Sequence, residues 1–159
     1  MSVAFRRESD EEHKEPRFEL PIPAGTNLVT ARGLAAIEAR VAALEDALRD
    51  AANEEARAVV ARDLRYWQTR RVTAELAPPP AGDEAALGTR VTFRLAGADR
   101  TVAIVGHDEA DPAAGRIAYT APLARALLGA AEGERVPFNG REDAIELLTI
   151  RPEVEAAIG

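Results

Sequence analysis

The apolar residues of this chain change rhythm once, and a run of prolines marks the change. Upstream, Leu34, Ile37, Val41, Leu44 and Leu48 recur at spacings of three, four, three and four. That spacing lays a heptad seam along one face of a helix, and Thr30 stands where its N-cap belongs. The rhythm lapses over residues 50–55, then resumes less regularly through Val60, Leu64, Trp67, Val72 and Leu76 until Pro78, Pro79 and Pro80 stop the helix. Downstream, apolar and polar residues alternate. Residues 90–96 (RVTFRLA) and 100–106 (RTVAIVG) read as an antiparallel hairpin, and GRIAYT, ERVPF and EDAIELLTI as three further strands. PLARALLGA, with proline in its first turn, reads as a short helix. One element cannot serve both periods, so the expected fold is α+β, a helical module followed by a β-rich one.

Four segments follow. Residues 1–27 read as a flexible leader, whose acidic cluster (Asp10, Glu11, Glu12, Glu15) and prolines leave too little apolar area to offset the entropy of ordering. Residues 28–77 form the helical segment, 78–87 a Pro/Gly/Ala linker and 88–159 the C-terminal domain. Two antiparallel helices joined near Asn53 satisfy the seam, and so does one continuous helix in a parallel dimer, since DAANEEARA contains no breaker. Under three heptads in the first helix is short for an independent coiled coil, which favours pairing within the chain and a monomer.

Composition removes several chemistries. There is no cysteine, hence no disulfide, thiolate nucleophile or Cys-ligated zinc, and two isolated histidines make no His-rich metal site. Aromatics are 4% of the chain and alanine about a fifth, so bulky core-filling groups are scarce. The 27 acidic residues against 20 basic ones give a net charge of −7, which disfavours direct binding of nucleic acid. No apolar run spans a membrane or forms a secretion signal, so the expectation is a cytoplasmic protein.

No catalytic constellation emerges either. Asp108-Glu109-Ala110-Asp111 invites comparison with an ATP-dependent helicase, but no GxxxxGK[ST] loop lies upstream to cradle phosphates, so a polar turn is the expectation. His107 lacks a partner histidine or a nucleophile and reads as a turn residue. Asp46, Asp50, Glu54 and Glu55 cluster near the expected hairpin turn, either as a solvated helix end or as oxygen ligands offered to a divalent cation in another protein's cavity. Trp67, next to Tyr66 and Arg70-Arg71, reads as seam packing. The chain is therefore expected not to be an enzyme, to hold no metal and to need no cofactor.

Four runs then appear in order: Ile104-Val105-Gly106-His107-Asp108-Glu109-Ala110-Asp111, Gly115-Arg116-Ile117, residues 121–129 (APLARALLG) and Gly133-Glu134-Arg135-Val136. Their order and spacing resemble the C-terminal module of the Gre family of bacterial transcript-cleavage factors, GreA and GreB. Leu28-Val29-Thr30 with Gly33 and Leu34 is similar to the family's opening LT-x-x-G. The resemblance covers roughly residues 28 to 151. It implies an N-terminal antiparallel coiled-coil hairpin plus a C-terminal FKBP-like β-rich domain without isomerase activity. It also implies bacterial RNA polymerase as partner: the C-terminal domain docks at the rim of the secondary channel through Thr120, Ala121, Pro122 and Leu123, and the coiled coil enters the channel. In the family an acidic pair at the tip helps hold the polymerase's second magnesium, so the polymerase itself cleaves backtracked RNA.

Two departures bear on this. The family's tip motif, of the type GDLSENAEY, is echoed only by Asp50 and Asn53-Glu54, and a first helix near 20 residues leaves each arm roughly ten residues, or on the order of 15 Å, short of a full Gre arm. A carboxylate must come within about 2.1 Å of magnesium to bind it, so such a tip stops short of the metal and cleavage stimulation is not expected. Ala121 replaces the family's usual serine before Pro122. The shortened arm is Rnk-like, and the alternative reading is a coiled-coil adaptor or Rnk-like regulator binding a non-polymerase protein.

Overall fold

The computed structural model describes residues 19–153. The leader's acidic cluster, Asp10 to Glu15, lies outside them. The described chain divides into two compact units: a helical one, and a C-terminal one that also takes in residues 27–34.

The helical unit is an antiparallel pair. Helix α1 (Ala31–Arg49) and helix α2 (Glu54–Thr73) are joined by a four-residue turn. At 1.5 Å per residue each is about 30 Å long. Val41, Leu44 and Leu64 are buried, with Leu48, Val60 and Trp67 packed against them. Leu48 and Val60 stand nearest the turn, then Leu44 and Leu64, then Val41 and Trp67, the order that antiparallel helices impose. This decides between the two arrangements left open by the sequence, in favour of the hairpin within one chain. The expected seam extends too far at its end, because Val72 and Leu76 are 77% and 59% exposed. Helix α2 stops at Thr73, five residues before the first proline of the run, where Ala74 turns to an extended backbone. Strand β2 (Ala74–Leu76) begins there and pairs with strand β1 (Asn27–Val29), so strand pairing ends the helix before proline does.

The C-terminal unit is a five-stranded sheet. Strands β3 (Thr89–Leu95), β4 (Ala98–Val105), β5 (Arg116–Ala118), β6 (Arg135–Phe138) and β7 (Arg141–Pro152) lie in the order β5-β4-β3-β7-β6. All neighbours are antiparallel except β4 and β5. Val91 and Phe93 on β3, Val102 and Ile104 on β4, and Ile145, Leu147 and Ile150 on β7 form the buried face. The three-residue step from Leu147 to Ile150 breaks strict alternation because a bulge in the β3/β7 pairing, between Thr92 and Phe93, shifts the register. Helix α3 (Pro122–Leu127) covers this face with Ala124 and Leu127, both fully buried.

The expected linker is built into this unit at its C-terminal end. Ala85 is 2% exposed, its N–H donates to the Ala130 carbonyl, and its own carbonyl accepts from Gly129 N–H, both at 2.8 Å. A buried alanine whose backbone is paired on both sides belongs to the core.

Candidate functional site

The segment Thr120 to Leu123 runs from the turn after β5 into the first turn of α3. Ala121 is the N-cap of α3 with extended backbone and no side-chain cap, and Pro122 occupies the first turn, where its missing N–H costs nothing. Thr120 and Pro122 are exposed, Ala121 and Leu123 half-buried, and the latter two pack against the core. The hydroxyl of Thr120 lies 3.5 Å from Nδ1 of His107, an exposed residue that opens a short 3-10 turn. The four residues read from the sequence thus form one continuous segment that exposes Thr120 and Pro122, and His107 adjoins it.

The acidic residues of the hairpin turn take individual structural roles. Asp46 pairs with Arg49 one turn along α1. Asp50 closes α1, its N–H donating to the Asp46 carbonyl at 3.1 Å. Asn53 caps α2, its side chain accepting from Ala56 N–H at 2.8 Å, and Glu54 and Glu55 occupy the first turn, where carboxylates complement the helix dipole. Arg57 reaches across the turn to the Leu48 carbonyl at 3.0 Å. Among the described residues no group of three or more metal-ligating side chains converges. Trp67 packs in the seam as expected, edge-on to Tyr66 at 5.1 Å, with the Arg40 guanidinium 5.9 Å from its ring centroid.

A further feature of the helical unit escaped sequence reading. Glu19 forms a bidentate pair with Arg65 at 2.7 and 2.8 Å, and hydrogen bonding from Arg65 holds the carboxyl below the usual glutamate range. Leu20 and Ile22 continue beside Tyr66, Thr69 and Val72, lining an open groove of about 470 Å³.

The sequence also gave no hint that two of its motifs, some seventy-five residues apart, meet. Gly33 N–H donates to the Thr30 hydroxyl oxygen at 2.9 Å, as an N-cap requires, and that hydroxyl donates to Glu109 Oε1 at 2.8 Å. A Cβ on Gly33 would lie 2.7 Å from the same carboxylate oxygen, and one on Gly106 would lie 2.6 Å from the Leu28 carbonyl oxygen. Gly106 lets the two backbones approach, and Gly33 leaves room for the Glu109 carboxylate. Glu109 is therefore no mere polar turn residue, although Asp111 is: its N–H and carbonyl pair with Arg116, at 2.8 and 3.0 Å, to shape the loop.

The family described as "Transcription elongation factor, GreA/GreB, C-term" matches residues 79–151. Transcription elongation factor GreB of Neisseria meningitidis is 38% identical over 96 residues, which cover 56% of this chain and 58% of that protein. GreA of Thermomicrobium roseum is 36% identical over 96 residues, covering 59% and 62%. The chain thus spans about three-fifths of the length of these relatives. Among solved structures, GreA factor homolog 1 of Thermus thermophilus aligns over 80% of this chain and 99% of its own, at 14% identity and a TM-score of 0.37. A GreA/GreB factor of Nitrosomonas europaea aligns over 80% and 96%, at 20% identity and a TM-score of 0.33. Residues 79–151 of this chain match the GreA/GreB C-terminal family, and it is on this module that the likeness to Gre factors rests.

Proposed function

We propose that this protein is an RNA polymerase-binding transcription regulator of the GreA/GreB type, docked by its C-terminal unit at the rim of the secondary channel and without transcript-cleavage stimulation. The observation that carries the reading is the pairing of a GreA/GreB C-terminal domain with a blunt hairpin. The domain presents Thr120 to Leu123 on its surface at the start of α3, while near the turn the Asp46 carboxylate pairs with Arg49 and those of Glu54 and Glu55 complement the α2 dipole. In this reading the chain is a monomer, acts in the cytoplasm, supplies no chemistry, cofactor or metal of its own, and touches nucleic acid only through its partner. No described helix is long and apolar enough to cross a membrane. Burial of Val41, Leu44 and Leu64 between the two helices of one chain supports the hairpin over a dimeric adaptor.

The test is capture of core polymerase by the full chain, followed by a cleavage assay on a backtracked complex. Pro122→Asp should abolish capture while keeping the fold, because an exposed carboxylate in the first turn of α3 suits the helix dipole. Capture by that variant at native affinity would overturn the docking loop. Native protein and the Asp50→Ala/Glu54→Ala double variant should both release no short 3′ RNA, and release by the native protein alone would restore a catalytic role to the tip.

A further inference from the structure

We propose that Glu109 is a positioning residue whose carboxylate anchors the first turn of α1 to the C-terminal unit, so that the response of polymerase, rather than its capture, depends on it. The functional half of this inference rests on the polymerase reading above. The anchor itself stands on geometry alone.

Glu109 lies outside the segment Thr120 to Leu123, yet its side chain is only 9% exposed. A carboxylate withdrawn from water must be compensated by donors or opposite charge. Here the compensation comes from a single place, the start of α1. The Thr30 hydroxyl donates to Oε1 at 2.8 Å, and Arg32 Nε lies 3.9 Å from Oε2. The carboxylate also faces the positive end of a 19-residue helix. The Thr30 hydroxyl thus relays from Gly33 N–H to Glu109, so one of the free amides of the helix end is satisfied by a group that is itself held by the carboxylate.

Arg32 extends the network. Its guanidinium lies 3.6 Å from Glu153, which takes a bidentate pair from Arg90 of the central strand β3 at 2.9 and 3.0 Å. The carbonyl of Val29, just before the cap, accepts from Ala77 N–H at 2.8 Å, and Leu28 N–H points to the Tyr119 hydroxyl at 3.4 Å. The start of α1 is therefore held by side chains and backbone of the C-terminal unit, and Glu109 is the charged group on which the cap itself depends. Glu109 belongs neither to the docking loop nor to the hairpin turn. It acts through α1, the helix that leads to that turn.

The experiment compares full-length native protein with Glu109→Ala, Glu109→Gln and Gly33→Ala. The last places a Cβ against the carboxylate and displaces it without deleting it. In Glu109→Ala, hydrogen exchange at the Gly33 and Leu34 amides should rise by about tenfold or more, as loss of a charge-assisted hydrogen bond implies, while the β3 amides stay unchanged. Gly33→Ala should raise exchange at Leu34 in the same way. Glu109→Gln keeps an acceptor for the Thr30 hydroxyl and should restore most of the protection. On polymerase, Glu109→Ala should keep a half-saturating concentration within about twofold of native while the plateau effect on elongation falls. Unchanged exchange in the first turn for both Glu109→Ala and Gly33→Ala overturns the anchor. Raised exchange with an undiminished plateau overturns the positioning role. If the native chain captures no polymerase, the polymerase reading fails separately and the exchange arm still decides the anchor.

Discussion

The helical hairpin and the C-terminal domain draw on the same alanine-rich, aromatic-poor composition and spend it differently. The hairpin's seam cluster holds three buried side chains, Val41, Leu44 and Leu64, with three more packed at its edge, and Ile37 and Arg70 are also buried on its helices. The domain gathers twelve buried residues, among them Phe93, Ile104, Leu127, Ile145 and Leu147 at zero exposure. A two-helix layer has one seam and leaves its outer faces in water, whereas a sheet covered by a helix encloses a volume. The domain thus rests on an enclosed core, and the hairpin relies on caps and ion pairs as well as burial.

That contrast can be broken by measurement, beginning with the largest effect. Phe93→Ala should cost about 4 kcal/mol in chemical denaturation, the range for emptying a fully buried aromatic site. Leu64→Ala, in the thinner seam, should cost about 2 kcal/mol and raise exchange across α1 and α2 while β3 and β7 stay protected. If Leu64→Ala instead opens both units in one cooperative step, the division of labour between them is wrong. Asn53→Ala removes the cap of α2 and should cost about 1 kcal/mol, read as earlier fraying at the turn.

The smallest effect concerns Glu19. Its carboxyl is held below the usual glutamate range, so the contribution of its pair with Arg65 is complete above the ordinary glutamate pKa and is lost as pH falls through the depressed folded value. Arg65→Met should return the Glu19 titration, followed by NMR, to the ordinary range and abolish that acid-side dependence. An unchanged titration in the variant would show that the pair does not hold Glu19.

The limits of legibility can be argued from particular residues. The α1 seam at Ile37, Val41 and Leu44 is visible because a helical face repeats every three or four residues whatever it packs against. The strands of the domain are visible for the same reason, with alternation as their period. Leu76 misleads because apolar spacing alone does not say where a helix ends, and here pairing of β2 with β1 ends it, while Val72 is still helical but exposed. The step to Ile150 is hidden by a bulge that no local pattern announces. The loop at Thr120 to Leu123 is contiguous in the chain, so its grouping was legible, and Pro122 marks the helix start by its fixed φ. The acidic turn was legible only as composition: Asp46, Asp50, Glu54 and Glu55 are close in sequence, but a helix end, an ion pair and a cap divide them.

The sequence by itself determined the order of elements, the two periodicities and the C-terminal motifs, because each is written in spacing over a few residues. Only the tertiary structure decided that the seam closes within one chain, that Ala85 belongs to the core, and that Glu109 meets Thr30. Those outcomes depend on groups brought together from distant parts of the chain, where burial and hydrogen-bond satisfaction are decided by what arrives from elsewhere rather than by neighbouring residues.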